Sequence, residues 1–294
     1  MGKKMRLGSV LIRRGEVEDA AQLAAISYEA FKTNAERHNF PLEVTPPDTG
    51  KVSRWRERIS NPTYYVVVAE LDGHIVGSNV LDERDSIAGV GPLTVDPSIQ
   101  DSRIGRRLME AVLIRSVEKQ HPGVRLVQTA YNRRSLALYA KLGFEVREML
   151  ASMQGPALQL QIPGHAVRPA AKRDLDPCNQ LCRRVHGHER GGVLLDAIGQ
   201  GTATVVERGD RITGYATVIG FTGYAIGESN SDLKALIGAA PEFEGIAGFL
   251  LPTRNGELFR WCLQNGLRIV LPMTLMSLGL YNEPSGSFLP SIYY

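Results

Sequence analysis

GPLTVDPSIQDSRIGRRL, Gly91 to Leu108, is the stretch from which the fold can be worked out. Val90 to Val95 is apolar and β-branched enough for a buried strand. Asp96-Pro97 ends it, because proline has no N–H to donate and fixes its own φ. A polar loop, Ser98 to Arg103, follows. Ile104, Leu108, Ala111, Val112 and Val117 then recur at helical spacing, with Arg106, Arg107, Glu110, Arg115 and Glu118 between them. A strand, a tight loop and a helix start can bind an anion, since first-turn N–H groups lack helical partners and the dipole favours negative charge. Arg103, Arg106 and Arg107 cluster at that same end, where cations oppose the dipole. Such a pattern suits a phosphate held among them.

The bulk composition fits a small anionic ligand better than a polymer. The chain has 294 residues, 43% of them hydrophobic and 22% charged, enough for one large globular domain or two ordinary ones. A net charge of +3, with no basic block and no interleaved aromatics, gives no reason to expect nucleic acid. Six cations fall in two short clusters, Arg103/Arg106/Arg107 and Arg54/Arg56/Arg58. The three cysteines, Cys178, Cys182 and Cys262, form no C-x-x-C pair, which argues against a disulfide scaffold or zinc site and fits a reducing cytosol. Met1 to Arg6 has no apolar core of a signal, and no stretch approaches the roughly 20 apolar residues of a membrane span. A cytoplasmic location without membrane or metal is expected.

Working outward, Val10 to Ile12 reads as a strand and Asp19 to Phe31 as a helix. Phe31 to Pro47 mixes Glu36, His38 and Asn39 with Phe40, Pro41, Pro46 and Pro47, and reads as loop with a short helix. Tyr64 to Glu70 and His74 to Leu81, joined at Asp72-Gly73, read as a hairpin. Asp82 to Asp85 is a turn, Ile87 to Val95 a strand, and Val124 to Ala130 another. Asn132 to Glu145, NRRSLALYAKLGFE, follows.

Two of these stretches carry a family resemblance. Gln100 to Gly105 resembles the Q/R-x-x-G-x-G/A pyrophosphate loop of GCN5-related N-acetyltransferases, with Arg103 at its middle glycine and Asp101 where a glycine is common. N-x-x-[SA]-x-x-[LF]-Y-x-x-x-G-F, Asn132 to Phe144, resembles that family's downstream motif in the right order and spacing. The resemblance covers Val10 to about Met153.

The chain then starts again. Val167-Arg168 with Asp174 repeats Ile12-Arg13 with Asp19. Glu207 to Gly214 repeats Glu70 to Gly77, and Asn255 to Gly266 repeats the step from Asn132 to Gly143. Three matches in register imply two copies of one fold. The expected fold class is α/β (α+β): two tandem copies, each a mixed, mostly antiparallel twisted sheet flanked by helices. Residues 1–155 are the expected catalytic domain, 156–164 a linker or crossing segment, and 165–294 a degenerate copy that shapes the acceptor pocket or a homodimer. In that copy Glu228 and Asp232 stand where the first offers arginines, and Cys262 stands at the position of Tyr139. Its end, Pro272 to Gly279 and Phe288 to Ser291, resembles bacterial tandem acetyltransferases of the YitH type. His186-Gly-His188 has no evident third metal ligand; a pocket-lining loop or helix end is the simpler reading.

The resemblance implies an acetyl-CoA-dependent N-acetyltransferase acting on a small amine, leaning towards a cationic one, by direct attack in a ternary complex. It implies that Leu93, Thr94 and Val95 pair with pantetheine and offer an oxyanion donor. Gln100, Asp101, Ser102, Arg103, Ile104, Gly105 and Arg106 would cradle the pyrophosphate, with Asn132 and Ser135 also on the cofactor. Arg103 either replaces lost loop contacts with its charge or obstructs close approach. Tyr139 is the general-acid candidate, a phenol of ordinary pKa about 10 that keeps its proton at neutral pH; the alternative is a tyrosine that merely packs on the cofactor. Glu83 and Asp85 are candidates for the base or for holding an ammonium, or are solvated turn residues. Glu36, His38 and Glu83 are candidate acceptor contacts. The competing reading is a CoA-binding sensor with a degenerate loop.

Overall fold

The computed structural model describes residues 10–42, 44–99 and 103–294. Two compact units emerge, residues 1–83 with 88–121, and residues 84–87 with 122–294. In the first, β1 (Leu11–Arg14), α1 (Ala20–His38), α2 (Thr49–Ser60), β2 (Tyr64–Leu71), β3 (His74–Asp82), β4 (Ile87–Val90), β5 (Thr94–Val95) and α3 (Ile104–Glu118) follow in order. Strands β1 to β4 are antiparallel neighbours, and β5 also pairs with β3. The β2–β3 hairpin turns on Asp72 (φ 51°) and Gly73 (φ 80°), the left-handed pair for which Asp-Gly is suited. Val66, Val68, Ile75 and Val80 from the sheet meet Ala20, Leu23, Ala24 and Trp55 from the helices. Each large side chain so buried contributes roughly 1.5–3 kcal/mol.

Two expectations change here. Helix α1 runs on to His38, where Asn39 (φ 57°) caps it, and a helix that the prolines concealed, α2, follows. Val52, Trp55 and Ile59 form its apolar stripe, and Asp48 accepts the Lys51 N–H at 2.8 Å as its cap. The strand expected over 87–95 is interrupted at 91–93, because Pro92 cannot donate to a ladder; β4 and β5 are its two ends.

The second unit contains β6 (Gly123–Thr129), α4 (Arg133–Lys141), β7 (Glu145–Gln154), β8 (Ala166–Pro169), α5 (Leu175–His186), α6 (Gly191–Gln200) and β9 (Thr204–Arg208). It continues with β10 (Arg211–Ala216), β11 (Ala225–Gly227), α7 (Asn230–Ala239), β12 (Phe249–Pro252), α8 (Gly256–Gln264), β13 (Arg268–Gly279) and β14 (Ser287–Leu289). Its strands run β6-β13-β7-β12 and β14-β11-β10-β9-β8, all antiparallel. The architecture is thus α+β, with twisted, mostly antiparallel sheets flanked by helices. Strand β13 lies between β6 and β7, with Thr274 opposite both Gln128 and Met149. That pairing joins residues 122–154 with the C-terminal half in one compact unit, and the division by compactness falls near His121.

The repeated sequence positions build the same local structures. Arg13 donates to Asp19 at 2.8 and 3.0 Å and to Glu70 at 2.8 Å. Arg168 donates to Asp174 at 2.7 and 2.9 Å and to Glu207 at 2.6 Å. Asn132 caps α4 through the Ser135 N–H, as Asn255 caps α8 through the Leu258 N–H. A Cβ on Gly77 would lie 2.7 Å from the Thr94 oxygen of β5, and one on Gly214 would lie 2.8 Å from the Ile226 oxygen of β11. Both glycines are needed for the same close approach of a strand.

Candidate active site

Helix α3 begins at Arg103, whose φ of 65° is left-handed and whose side chain makes no cap. The resembling family puts glycine here, and the backbone supplies the reason: an L side chain in this conformation costs roughly 1–2 kcal/mol. Ile104 is buried, so the helix is anchored, and among the described residues Arg103 at the N-cap supplies no side-chain cap to its first turn. The three arginines do not act as one cluster. Arg106 pairs with Glu110 at 2.8 Å, and Arg107 donates to the Val10 carbonyl at 2.8 Å. Arg103 is exposed and makes no ion pair with a described residue. Gln100, Asp101 and Ser102 lie outside the described residues.

Strand β5 pairs with β3 through Thr94 and Val95 and with no other described strand, so its second edge is available to an extended ligand. Leu93 precedes it, half-buried, in the break after β4. Thr94 turns its hydroxyl inward, 3.1 Å from that of Ser78 and 3.4 Å from that of Ser27. Its backbone rather than its side chain is therefore what a ligand would meet.

In the second unit, the Oδ1 of Asn132 accepts the Ser135 N–H at 3.1 Å, leaving its amide N–H groups for other partners. Tyr139 lies on α4, edge-on to Phe144 with ring centroids 6.1 Å apart. Burial pushes its phenol up to about 12, with a hydrogen bond from Ser135 pulling the other way. A phenol so placed holds its proton throughout the physiological range.

The acidic candidates are already engaged. Glu83 is gripped by Arg115 at 2.7 and 3.2 Å in a bidentate pair. Asp85 accepts the Gly192 N–H at 2.8 Å at the start of α6 and lies 3.7 Å from the Arg190 Nε. Both candidates thus have partners distant in sequence, which their neighbouring residues do not reveal. Arg115 was visible as a helix cation, but nothing in its spacing pointed to Glu83. Glu36 is exposed on α1, and the His38 Nδ1 meets the Asn34 carbonyl at 2.8 Å, one turn back on the same helix.

His186 and His188 are buried in the second unit, stacked with ring centroids 5.7 Å apart. Burial beside Arg125 and Arg190 keeps both neutral, His188 down to about 4. Cys262 is fully buried on α8, with no phenol to match Tyr139.

Residues 21–144 match the family model described as the acetyltransferase (GNAT) family. The N-terminal part of this chain carries a GNAT acetyltransferase match. An acetyltransferase assignment also attaches to a structure from Pyrococcus horikoshii that shares this fold, with a TM-score of 0.73 and 16% identity over 98% of this chain and 97% of that one. The paia N-acetyltransferase of Thermoplasma acidophilum, in complex with coenzyme A, matches 48% of this chain and 92% of its own at 20% identity and a TM-score of 0.40. A Salmonella typhimurium structure assigned as an acetyltransferase, with its cofactor acetyl-CoA, matches 49% of this chain and 84% of its own at 19% identity and a TM-score of 0.42. No curated protein matches the chain. No helix among the described residues is long and apolar enough to cross a membrane.

Proposed function

We propose that this protein is an acetyl-CoA-dependent N-acetyltransferase that acetylates a small primary amine by direct attack in a ternary complex. The observation that carries the reading is the start of α3, an anchored helix N-terminus to which no described residue supplies a side-chain cap, inside the segment that matches the GNAT family. Its N–H groups and dipole suit a pyrophosphate. The second edge of β5 suits a pantetheine arm, added as a strand would be. The amine nitrogen attacks the thioester carbonyl carbon, the C–S bond breaks, the thiolate takes the phenolic proton of Tyr139, and the proton that the new amide nitrogen sheds returns through solvent to restore the phenol. General-acid help of this kind is worth about 10²–10⁴-fold.

The three candidate carboxylates are engaged or exposed: Glu83 and Asp85 are paired, and Glu36 is exposed on a helix surface. In this reading the amine loses its proton to solvent before attack, and the lean towards a cationic acceptor has no side chain to support it. The matched ion triads and caps support a tandem duplication, in which residues 165–294 form a copy without transfer chemistry. The same shortage of a base favours a second reading, a CoA-binding sensor. Replacement of Tyr139 separates the two. Under the transferase reading Tyr139→Phe lowers kcat about 100-fold for an acetylated amine and leaves acetyl-CoA affinity within about threefold. Wild-type protein that binds acetyl-CoA but turns over no amine in a broad panel would overturn it in favour of the sensor.

A further inference from the structure

The second unit buries two guanidinium groups with few anions to meet them. Arg125, on β6, is 1% exposed, and Arg190, preceding α6, is 4% exposed. Both lie against the Tyr294 ring, with their central carbons 4.2 and 4.1 Å from its centroid. Arg125 also faces the Tyr281 ring, and Arg190 the Tyr224 ring. Asp85 is the carboxylate beside Arg190, yet its Oδ2 stands 3.7 Å from Nε, beyond a hydrogen bond.

Arg125 is the sharper case. Its Nη1 donates to the Tyr294 hydroxyl, which in turn lies 2.9 Å from His188 Nε2. Its Nε and Nη2 are both buried and have no partner among the described residues. These two nitrogens form the side-on face of the guanidinium, whose parallel N–H groups match the two oxygens of a carboxylate. Arg125 makes no ion pair with a described residue. A neutral His186, with neither ring nitrogen bonded, stands in the same cluster. Buried donors left unmet are costly, and in native proteins they mark an unseen water or ligand.

We propose that the Nε/Nη2 face of Arg125 binds the carboxylate of a small molecule. The charge balance favours an anion over a water, because stacking against tyrosine rings offers a guanidinium no formal counter-charge. The proposal stands apart from the transferase reading, since it needs neither acetyl-CoA nor Tyr139.

The test uses the full chain and acetate as the probe. At pH 7.5 and constant ionic strength, melting temperature is followed from 0 to 100 mM acetate against perchlorate, for wild type and Arg125→Lys. Lysine keeps the charge and loses the fork. Wild type is expected to gain several degrees and saturate, with the gain absent in Arg125→Lys. Equal responses in both proteins, or none in wild type, would overturn the proposal and leave Arg125 held by the Tyr294 hydroxyl and the tyrosine rings. Should Arg125→Lys fail to fold, wild-type crystals soaked in trifluoroacetate decide the matter. Trifluoroacetate density with its carboxylate on Arg125 Nε and Nη2 supports the site; an ordered water there, or an adventitious additive only at the surface, contradicts it.

Discussion

Helices α3 and α7, which the proposed duplication puts in matching places, begin in opposite ways. At α7 the Ser229 hydroxyl and the Asp232 carboxylate close a capping box: Asp232 accepts the Ser229 N–H at 2.8 Å and its hydroxyl at 2.6 Å. Asp232 is fully buried and also takes the Thr213 hydroxyl. This helix end has its anion built in. At α3 the capping position holds Arg103 in a left-handed conformation, without a side-chain cap. The neighbouring strands differ likewise. β11 is paired on both sides, by β10 and by β14, whereas β5 has β3 alone among the described strands. On the proposed reading, one copy spends its helix end and strand edge on its own chain, while the other keeps both for a ligand.

The comparison can be broken at three points. The largest effect is expected from Asp232→Ala, which strips α7 of its internal anion and leaves three donors unmet. Hydrogen bonds to a charged group are worth about 1.5–3 kcal/mol each, so a loss of roughly 3–5 kcal/mol should appear in urea unfolding. Acetyl-CoA affinity should stay unchanged. A milder effect in that variant would mean the built-in anion matters little.

Next come the features that the copies share. Arg13→Ala and Arg168→Ala should each cost about 1–2 kcal/mol, and by similar amounts, since both triads are partly buried and geometrically alike. Burial raises the Asp19 pKa, but the Arg13 hydrogen bonds and the Glu16 N–H outweigh it and hold the carboxyl below its usual value; for Asp174 the Arg168 hydrogen bonds are the leading cause. A carboxyl depressed in the folded state stabilises above its unfolded pKa of about 3.9 and loses that contribution as pH falls through its folded value. Acid unfolding of wild type should therefore steepen below about pH 4, and each arginine variant should lose part of that dependence. An unequal pair of costs would show that the copies have diverged here too.

The smallest effect is expected at Arg103. Arg103→Gly relieves the left-handed strain, offset by greater freedom of the unfolded chain, for a net gain of about 0.5–1 kcal/mol. A loss instead would show that the arginine side chain holds the helix start.

Much of this could be read from the chain itself. Periodicity and the Asp72-Gly73 turn gave the hairpin, and the spacing of Arg13, Asp19 and Glu70 against Arg168, Asp174 and Glu207 gave the repeat. Those signals are local or recur in register. What stayed hidden was long-range. Nothing near β7 announces that β13 pairs with it from more than a hundred residues away, and nothing near Glu83 announces Arg115. Helix α2 was legible in Val52, Trp55 and Ile59, but the prolines before it drew attention to loop. The left-handed backbone at Arg103 was implied by the family's glycine, yet an arginine there gives no sign of φ by itself.

The central claim is that α3 starts an open anion site and α7 a closed one. Calorimetric titration of the full chain with acetyl-CoA, for wild type and for Gly105→Glu, tests it directly. The account predicts one molecule bound per chain in wild type and none when a carboxylate enters the first turn of α3. Two molecules per chain, or binding that survives Gly105→Glu, would contradict it.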